Sequence, residues 1–465
     1  MEIKEAVLRF KDVLNLNGII RVVTHIDTDG LTSAAILIHA LKKLDQQFWV
    51  ASVKQLEDAY IKQLYEEARK KKWKAIFFLD LGSNKLAELA KFAEHVKIII
   101  LDHHGLAERL VIGGAIENLQ HTNFLFVNPL ANNGEENVSA STLVYRFVKE
   151  LDSSNEELAQ FAVLGMIGDI LEKTISRTNS LVIEDAKKNG MQVKKGLTIF
   201  STTRALHKAL ELGSSVFIPG VTGSSNGALN FLRELGIEIK DKSKKSYRTL
   251  LDLSREETSR LITGIMLRRL DHEEREIIGN IYLLKLFGRL YDARELSAMV
   301  NACGRLGNAS LALAFLLNSE TAREKIDMIY SEYKHHLVNA LNFISSAKKR
   351  VGQGYMIVNA GENIKDTIIG TVMSVLAYSS VYPDGTILVG MADRGDKIKV
   401  SARIAGKNKN GTNLCSLLNS IVKVVGGESG GHVNAAGALI PKNKQEEFVD
   451  LLEKSLQIEE IKIRV

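Results

Sequence analysis

The 465-residue sequence predicts an α/β protein: a parallel-sheet amino-terminal domain, a largely helical middle and a smaller α/β carboxy-terminal domain. Three observations predict it. Apolar, β-branched runs alternate with amphipathic stretches through the first part of the chain. Helical periods and dense charge dominate from about Gly196 to Arg350. Strand-like runs then return, with the most glycine-dense stretch of the protein, Gly426-Gly427-Glu428-Ser429-Gly430-Gly431-His432.

Strands are expected at residues 19–24, 48–53, 75–80, 97–102 and 124–128, with helices such as 32–44 and 85–95 between them. These runs are continuously apolar rather than alternating, so both faces of the sheet must be covered, which marks a parallel sheet. After Val138 the pattern is helical through about Leu171, with Ser139 and Ser141 as candidate caps. The middle ends in a long helix whose apolar positions Ile326, Tyr330, Tyr333, Leu337, Leu341 and Ile344 form one stripe. Strands at 355–360, 386–392 and 397–404 open the last part. The expected domains are residues 1–195, 196–348 and 349–465.

Apolar residues make up 45% and charged residues 25% of the chain, the profile of a soluble globular protein. No run of about 18 apolar residues is present, so no membrane partner is expected. The amino terminus has no signal-peptide layout. Two cysteines, Cys303 and Cys415, exclude a disulfide framework and a cysteine zinc knuckle. The net charge of +6 permits a nucleic-acid partner without requiring one. A reduced, cytoplasmic enzyme is the expectation.

Four places put acids or histidines at the ends of apolar runs. They are His25-Ile26-Asp27-Thr28-Asp29-Gly30, Asp80, Asp102-His103-His104 and Gly168-Asp169. Carboxyl ends of neighbouring strands in an open sheet share one crevice, so the first three clusters should meet. Carboxylates crowded in this way repel and raise one another's pKa values unless cations neutralise them. Carboxylate oxygens with one or two imidazoles suit Mn²⁺ or Mg²⁺, with Co²⁺ and Zn²⁺ as substitutes, and Mn²⁺ is the expected ion. The number of ligands fits two divalent ions about 3.5–4 Å apart better than one, and phosphoester hydrolysis is the chemistry such a pair favours. Two basic stretches are also present. Arg69-Lys70-Lys71-Lys72-Trp73-Lys74 reads as a solvated helix end, and Lys240, Lys242, Lys244, Lys245 and Arg248 as a candidate nucleic-acid contact.

These motifs in this order resemble those of the DHH phosphoesterase superfamily. Gly430-Gly431-His432 with Asn434-Ala435-Ala436-Gly437 resembles the phosphate-binding signature of its DHHA1 domain. The chain is most similar to the archaeal RecJ-like nucleases, and 295–305 looks like part of their extra domain. The resemblance implies roles. His25, Asp27 and Asp80 would hold one ion, and Asp29, Asp80, His103 and Asp169 the other, with Asp80 bridging. His104 would face the scissile phosphate as a ligand or proton donor. Arg403 and His432 would grip a phosphate, with Gly430 and Gly431 letting backbone N–H groups approach it. No metal position departs from the pattern, which argues against an inactive scaffold.

The implied function is a metal-dependent exonuclease of single-stranded DNA or RNA, acting in DNA repair or replication. The middle region is less like the GINS-associated branch, which digests 5′ to 3′, than the Hef-associated branch, which digests 3′ to 5′ and forms trimers. The expectation therefore leans to 3′ to 5′ polarity, with Hef or GINS as partner and a homo-oligomer as the assembly. The alternatives are a small-substrate phosphatase of the pyrophosphatase or oligoribonuclease type, and a binding subunit that barely cuts.

Overall fold

In a computed structural model the described residues are 1–105, 123–132, 137–213, 218–241, 246–268, 278–378, 381–408 and 411–464. The chain divides into two compact units. One comprises Met1–Gly196 with Asn280–Tyr330, the other Leu197–Gly279 with Ser331–Val465.

The first unit is built on five parallel strands: β1 (Ile19–His25), β2 (Phe48–Val53), β3 (Trp73–Leu79), β4 (Lys97–Leu101) and β5 (Phe124–Val127). Their order is β2-β1-β3-β4-β5. Every residue of β3 and β5 is buried, as the continuous apolar runs require. On one face, Phe77 of β3 meets Phe10 of α1 (Ile3–Leu14) edge-on, with ring centroids 5.1 Å apart. On the other, Phe78, Ile98, Ile100 and Phe126 pack with Ile61 and Leu64 of α2 (Asp58–Lys70) and with Leu86 and Leu89. The expected helix at 85–95 is shorter: a helix spans Leu86–Ala90, and a 3₁₀ turn follows at Lys91–Glu94.

The helix expected at 32–44 starts earlier, at Thr28, and runs to Lys43. Asp27 caps it by accepting the Gly30 N–H at 3.1 Å. Ser139 caps the helix Ala140–Leu151 through the Thr142 N–H at 3.2 Å. Ser141 does not cap; it lies inside the helix, and its hydroxyl donates to the Ala162 carbonyl at 3.2 Å. Helix Ala159–Gly168 follows, buried all round except at its last residue.

Residues 280–330, read from sequence with the middle domain, fold with the first unit. Gln160 fastens this segment by accepting the Lys285 N–H at 2.7 Å. The helix Ala293–Arg305 is joined to the start of the Thr28–Lys43 helix by hydrogen bonds from Thr28 to Asn301 and Ser297.

Two of the apolar clusters among the described residues lie in the second unit. One is helical, with Leu206, Leu210, Phe231, Leu232, Leu261 and Ile265 at its centre. The other lies beneath a six-stranded mixed sheet of strands Lys349–Gly352, Tyr355–Asn359, Ile387–Arg394, Lys397–Ile404, Ala435–Pro441 and Glu428–His432, in that spatial order. The helix Leu414–Val425 and residues such as Phe448 and Leu452 cover it. The long helix Glu320–Ser346 buries Ile326, Tyr330, Tyr333, Leu337 and Ile344, while Leu341 is half-buried. Among the described residues no helix is long and apolar enough to cross a membrane.

Candidate metal centre

β1 carries His25 at its carboxyl end, and the chain turns directly into the helix capped by Asp27, with Asp29 in its first turn. Space requires glycine next: a Cβ on Gly30 would stand 2.6 Å from the His25 carbonyl oxygen. Asp80 follows β3 with φ 59°, in the left-handed region that Asp tolerates better than bulkier residues. Asp102, His103 and His104 follow β4, and Asp169 ends the helix Ala159–Gly168. Ile170 then has φ 61°, an uncommon and strained conformation for a β-branched side chain.

These side chains converge on Asp80. One of its carboxylate oxygens lies 3.4 Å from His25 Nδ1, and the other 3.3 Å from His103 Nε2. His25 Nδ1 is also 2.9 Å from Asp27, and His103 Nε2 is 3.2 Å from Asp169 and 3.8 Å from Asp29. Three sets of ligand atoms each fall within 4.8 Å of one another: His25, Asp27 and Asp80; Asp29, His103 and Asp169; and Asp80, His103 and His104.

The fit to a cation is visible in two orphaned atoms. His25 Nδ1 and Asp80 Oδ1 are buried and have no hydrogen-bond partner, although ligand atoms crowd them. Close approach without hydrogen-bond geometry is the arrangement of lone pairs aimed at a shared ion. The donors are carboxylate oxygens and imidazoles with no thiolate, which suits a hard divalent ion.

The electrostatics agree. Burial and then the Asp80 charge push the Asp29 carboxyl up to about 6. Burial and then Asp29 raise Asp169 well above its ordinary value. For His103 burial favours the neutral ring, but Asp80, Asp29 and Asp169 outweigh it and push the pKa up to about 10. Burial likewise opposes the charge on His25, and Asp27 with Asp80 raises its pKa well above the imidazole value. The cluster thus retains protons where it lacks cations, and divalent ions would replace them.

A supporting layer holds the ligands in place. Asp29 accepts from the Ala140 and Ser141 backbone N–H groups at 2.6 and 3.0 Å, at the positive end of that helix. Asp102 takes no place among the ligand sets. It accepts from the Ser83 and His103 N–H groups, both at 2.8 Å, and holds His104 Nδ1 at 2.8 Å. That bond to Asp102 raises the His104 pKa, and the His104 side chain is 52% exposed. Asn128 ties the Ser83 hydroxyl to the His104 carbonyl at 2.8 and 3.0 Å. Asn301 accepts the Thr28 N–H at 2.9 Å, and a Cβ on Gly304 would stand 2.0 Å from the Ile26 carbonyl oxygen.

Sequence reasoning missed Ser83, Asn128, Ser297 and Asn301. Ser83 stands three residues after Asp80. Asn301 and Gly304 lie within 196–348, where the sequence predicts a separate middle domain.

In the second unit Arg403 pairs across the sheet with Ala435, and Ala435 with His432, so the three stand in one row on one face. Arg403 donates to the Ser374 hydroxyl and the Ala402 carbonyl at 2.9 and 2.8 Å, whereas His432 is exposed. Gly431 has φ 136°, and a Cβ there would meet the Ala435 carbonyl oxygen at 2.5 Å; Gly430 faces open space. Of the 240–248 cluster, Lys242, Lys244 and Lys245 lie outside the described residues. Arg248 grips Glu257 through two bonds of 2.7 Å.

Residues 19–168 match the DHH family, N-terminal domain, residues 200–277 the DHH-CID domain, and residues 352–457 the DHHA1 domain. The chain belongs to the DHH/DHHA1 phosphoesterase superfamily. An uncharacterized protein of Methanocaldococcus jannaschii is 28% identical over 453 residues, covering 96% of each chain. RecJ from Thermus thermophilus in complex with Mn²⁺ matches with a TM-score of 0.59 at 16% identity, over 97% of this chain and 54% of that one. Exonuclease RecJ bound to manganese matches with the same TM-score and identity, over 98% and 94%. CDC45 from Entamoeba histolytica gives a TM-score of 0.61 at 11% identity, over 97% and 98%. At these identities the solved structures show the fold. For this DHH phosphoesterase, the His/Asp cluster fits a divalent metal site, and phosphoester hydrolysis is the chemistry of the superfamily.

Proposed function

We propose that this protein is a metal-dependent exonuclease that shortens single-stranded DNA, and RNA as a second substrate, from an end. The observation that carries the reading is the position of Asp80 between His25 and His103, at 3.4 and 3.3 Å. One carboxylate there can serve two neighbouring ions. His25, Asp27 and Asp80 would hold one; Asp29, Asp80, His103 and Asp169 would hold the other. Bound divalent ions, Mn²⁺ or Mg²⁺, would lower the pKa of an attacking water and neutralise charge on a phosphoryl oxygen.

The side chains supply the rest. Asp102 orients His104 and favours its protonated ring, so His104 is suited to hold the scissile phosphate or give a proton to the leaving oxygen. Arg403 and His432 would grip a phosphate of the strand, with Gly430 and Gly431 admitting it close to the backbone. The likeness in fold to a protein named exonuclease RecJ supports a polymeric substrate. We assign a 3′ to 5′ polarity, a role in DNA repair or replication, a trimeric assembly and a Hef-type helicase/nuclease partner, with the 5′ to 3′ GINS-associated type as the alternative.

The test is digestion of single-stranded DNA and RNA labelled at either end, with Mn²⁺ or Mg²⁺. Stepwise shortening from the 3′ end supports the reading, and shortening from the 5′ end reverses the polarity. Intact oligonucleotide with fast release of phosphate from pyrophosphate would replace it with a small-substrate phosphatase.

A further inference from the structure

The first unit carries a second group of residues, at the opposite end of the sheet from Asp80 and Asp102. Trp49 stands near the start of β2, an edge strand of the five, and is 49% exposed. The Lys71 ammonium lies 4.0 Å from the Trp49 ring centroid, and the Arg21 guanidinium 5.4 Å from it. Both cations also approach the buried Trp73 ring, at 5.8 and 5.5 Å, so they occupy the side of Trp49 that looks toward Trp73. Glu67 holds Lys71 in this place at 3.2 Å. Arg69, Lys70 and Lys72, its neighbours in the chain, are exposed.

Arg21 is the unusual member. It is only 6% exposed, and its Nε has no hydrogen-bond partner. Its other nitrogens reach the Trp49 carbonyl at 3.5 Å and the Tyr60 hydroxyl at 3.3 Å. Among the described residues no carboxylate makes a contact ion pair with it; the Glu67 charge reaches it only at longer range. A buried cation without a contact ion pair is costly, and core packing alone would favour an apolar side chain here. What Arg21 does achieve is to brace the Trp49 ring and strand. Local inconsistencies of this kind concentrate at functional positions.

We propose that Trp49, braced by Arg21 and Lys71, with the exposed Arg69, Lys70 and Lys72 flanking Lys71 in the chain, is a base-stacking contact for single-stranded nucleic acid, separate from the metal centre. An exposed indole offers a π-face to any base, and the adjoining cations meet the phosphates, which is how sequence-tolerant single-strand sites are built. An acidic peptide would use the cations and leave the indole idle, so the exposed ring favours nucleic acid. Arg21 pairs with Trp49 across the strands, and His25 lies four residues farther along β1, about 13 Å away at about 3.3 Å per residue. The contact therefore serves a strand several nucleotides long, and a dinucleotide at the metal centre would not reach it. The proposal rests on the nuclease reading for its substrate class.

The chain has two tryptophans, one exposed and one buried, so indole fluorescence reports on Trp49. Metal-free full-length protein is titrated with oligothymidylate of about 20 nucleotides and with a dinucleotide. The long oligomer should quench wild type and leave Trp49→Ala unchanged, while the dinucleotide quenches neither. By fluorescence anisotropy of labelled oligomer, Trp49→Ala should bind at least about fivefold more weakly, and Trp49→Phe should recover most of the loss. Equal affinity of Trp49→Ala and wild type would overturn the proposal, and so would quenching by a poly-glutamate peptide with none by the oligomer. If oligonucleotides are cleaved but Trp49 is not quenched, this contact fails and the nuclease reading stands. Quenching without any cleavage would leave the contact standing and sink the nuclease.

Discussion

Asn301 accepts the backbone N–H of Thr28 at 2.9 Å, joining residues 273 positions apart. Thr28 is the first residue of the helix that Asp27 caps, and Asp29 is the second. The bond therefore fixes the turn that separates two candidate ligands of different ions. Ser297 adds a carbonyl that accepts the Thr28 hydroxyl at 2.9 Å. A segment from late in the sequence thus positions the first motif.

Asn301→Ala should keep the fold and weaken Mn²⁺ binding. Residues that orient metal ligands typically contribute about 10–100-fold in affinity or activity. Titration of the variant with Mn²⁺, followed by the paramagnetic signal of the free ion, measures the loss directly. Affinity within about twofold of wild type would show that the turn holds without Asn301.

Asp80→Ala removes the carboxylate common to two ligand sets. Metal stoichiometry should fall below two, and hydrolysis should drop at least about tenfold. The metal-free protein should stay folded, because removing one negative charge from among Asp27, Asp29 and Asp169 offsets part of the cost, about 1–2 kcal/mol, of placing Ala at φ 59°. Two retained ions with activity above about a tenth of wild type would refute the shared-ligand reading.

The exposed His432 and the anchored Arg403 should separate in their effects. His432→Ala should weaken binding of single-stranded oligonucleotide and flatten its salt dependence, with no change in melting. Arg403→Ala loses bonds to Ser374 and Ala402 as well, so it should also destabilise the second unit by about 1–3 kcal/mol. Wild-type affinity of His432→Ala across a salt titration would remove His432 from the substrate site.

The fold was legible wherever the chain's local chemistry matches its surroundings. β2 runs from Phe48 to Val53 as read, and the continuous apolar runs gave the parallel sheet with both faces covered. The metal-centre residues were legible because each closes or follows an apolar run, and strand topology brings those ends together. The start of the helix at Thr28 was hidden because Asp27, Thr28, Asp29 and Gly30 are turn-forming residues by composition, yet one of them caps and the rest begin the helix. The long-range part of the supporting layer could not be read. Its contacts join Asp29 to Ala140 and Thr28 to Asn301 across more than a hundred residues, and neither periodicity nor spacing records such pairs. Trp49 escaped for a related reason: the basic run at 69–72 meets its aromatic partner on a strand some twenty residues earlier.

Arg248 gives the last prediction, because it belongs to a basic stretch that the sequence suggests for nucleic acid. Its guanidinium is instead committed to Glu257, with both side chains 15% exposed. Arg248 also donates to the Glu238 and Asp252 carbonyls at 3.2 and 2.7 Å. Arg248→Ala should therefore cost about 1 kcal/mol or somewhat more in stability, with little change in oligonucleotide affinity. The pair also carries a pH signature. The bond from Arg248 lowers the Glu257 pKa from 4.5 to about 2 in the folded protein. The unfolded chain thus binds the proton first on acidification, and the stabilisation is complete above about pH 4.5 and lost as pH falls toward 2. Glu257→Gln should melt below wild type at pH 7, and the gap should close progressively between pH 4.5 and pH 2. A gap that stays constant through that window would mean that the Glu257 charge contributes nothing beyond the shape of its side chain.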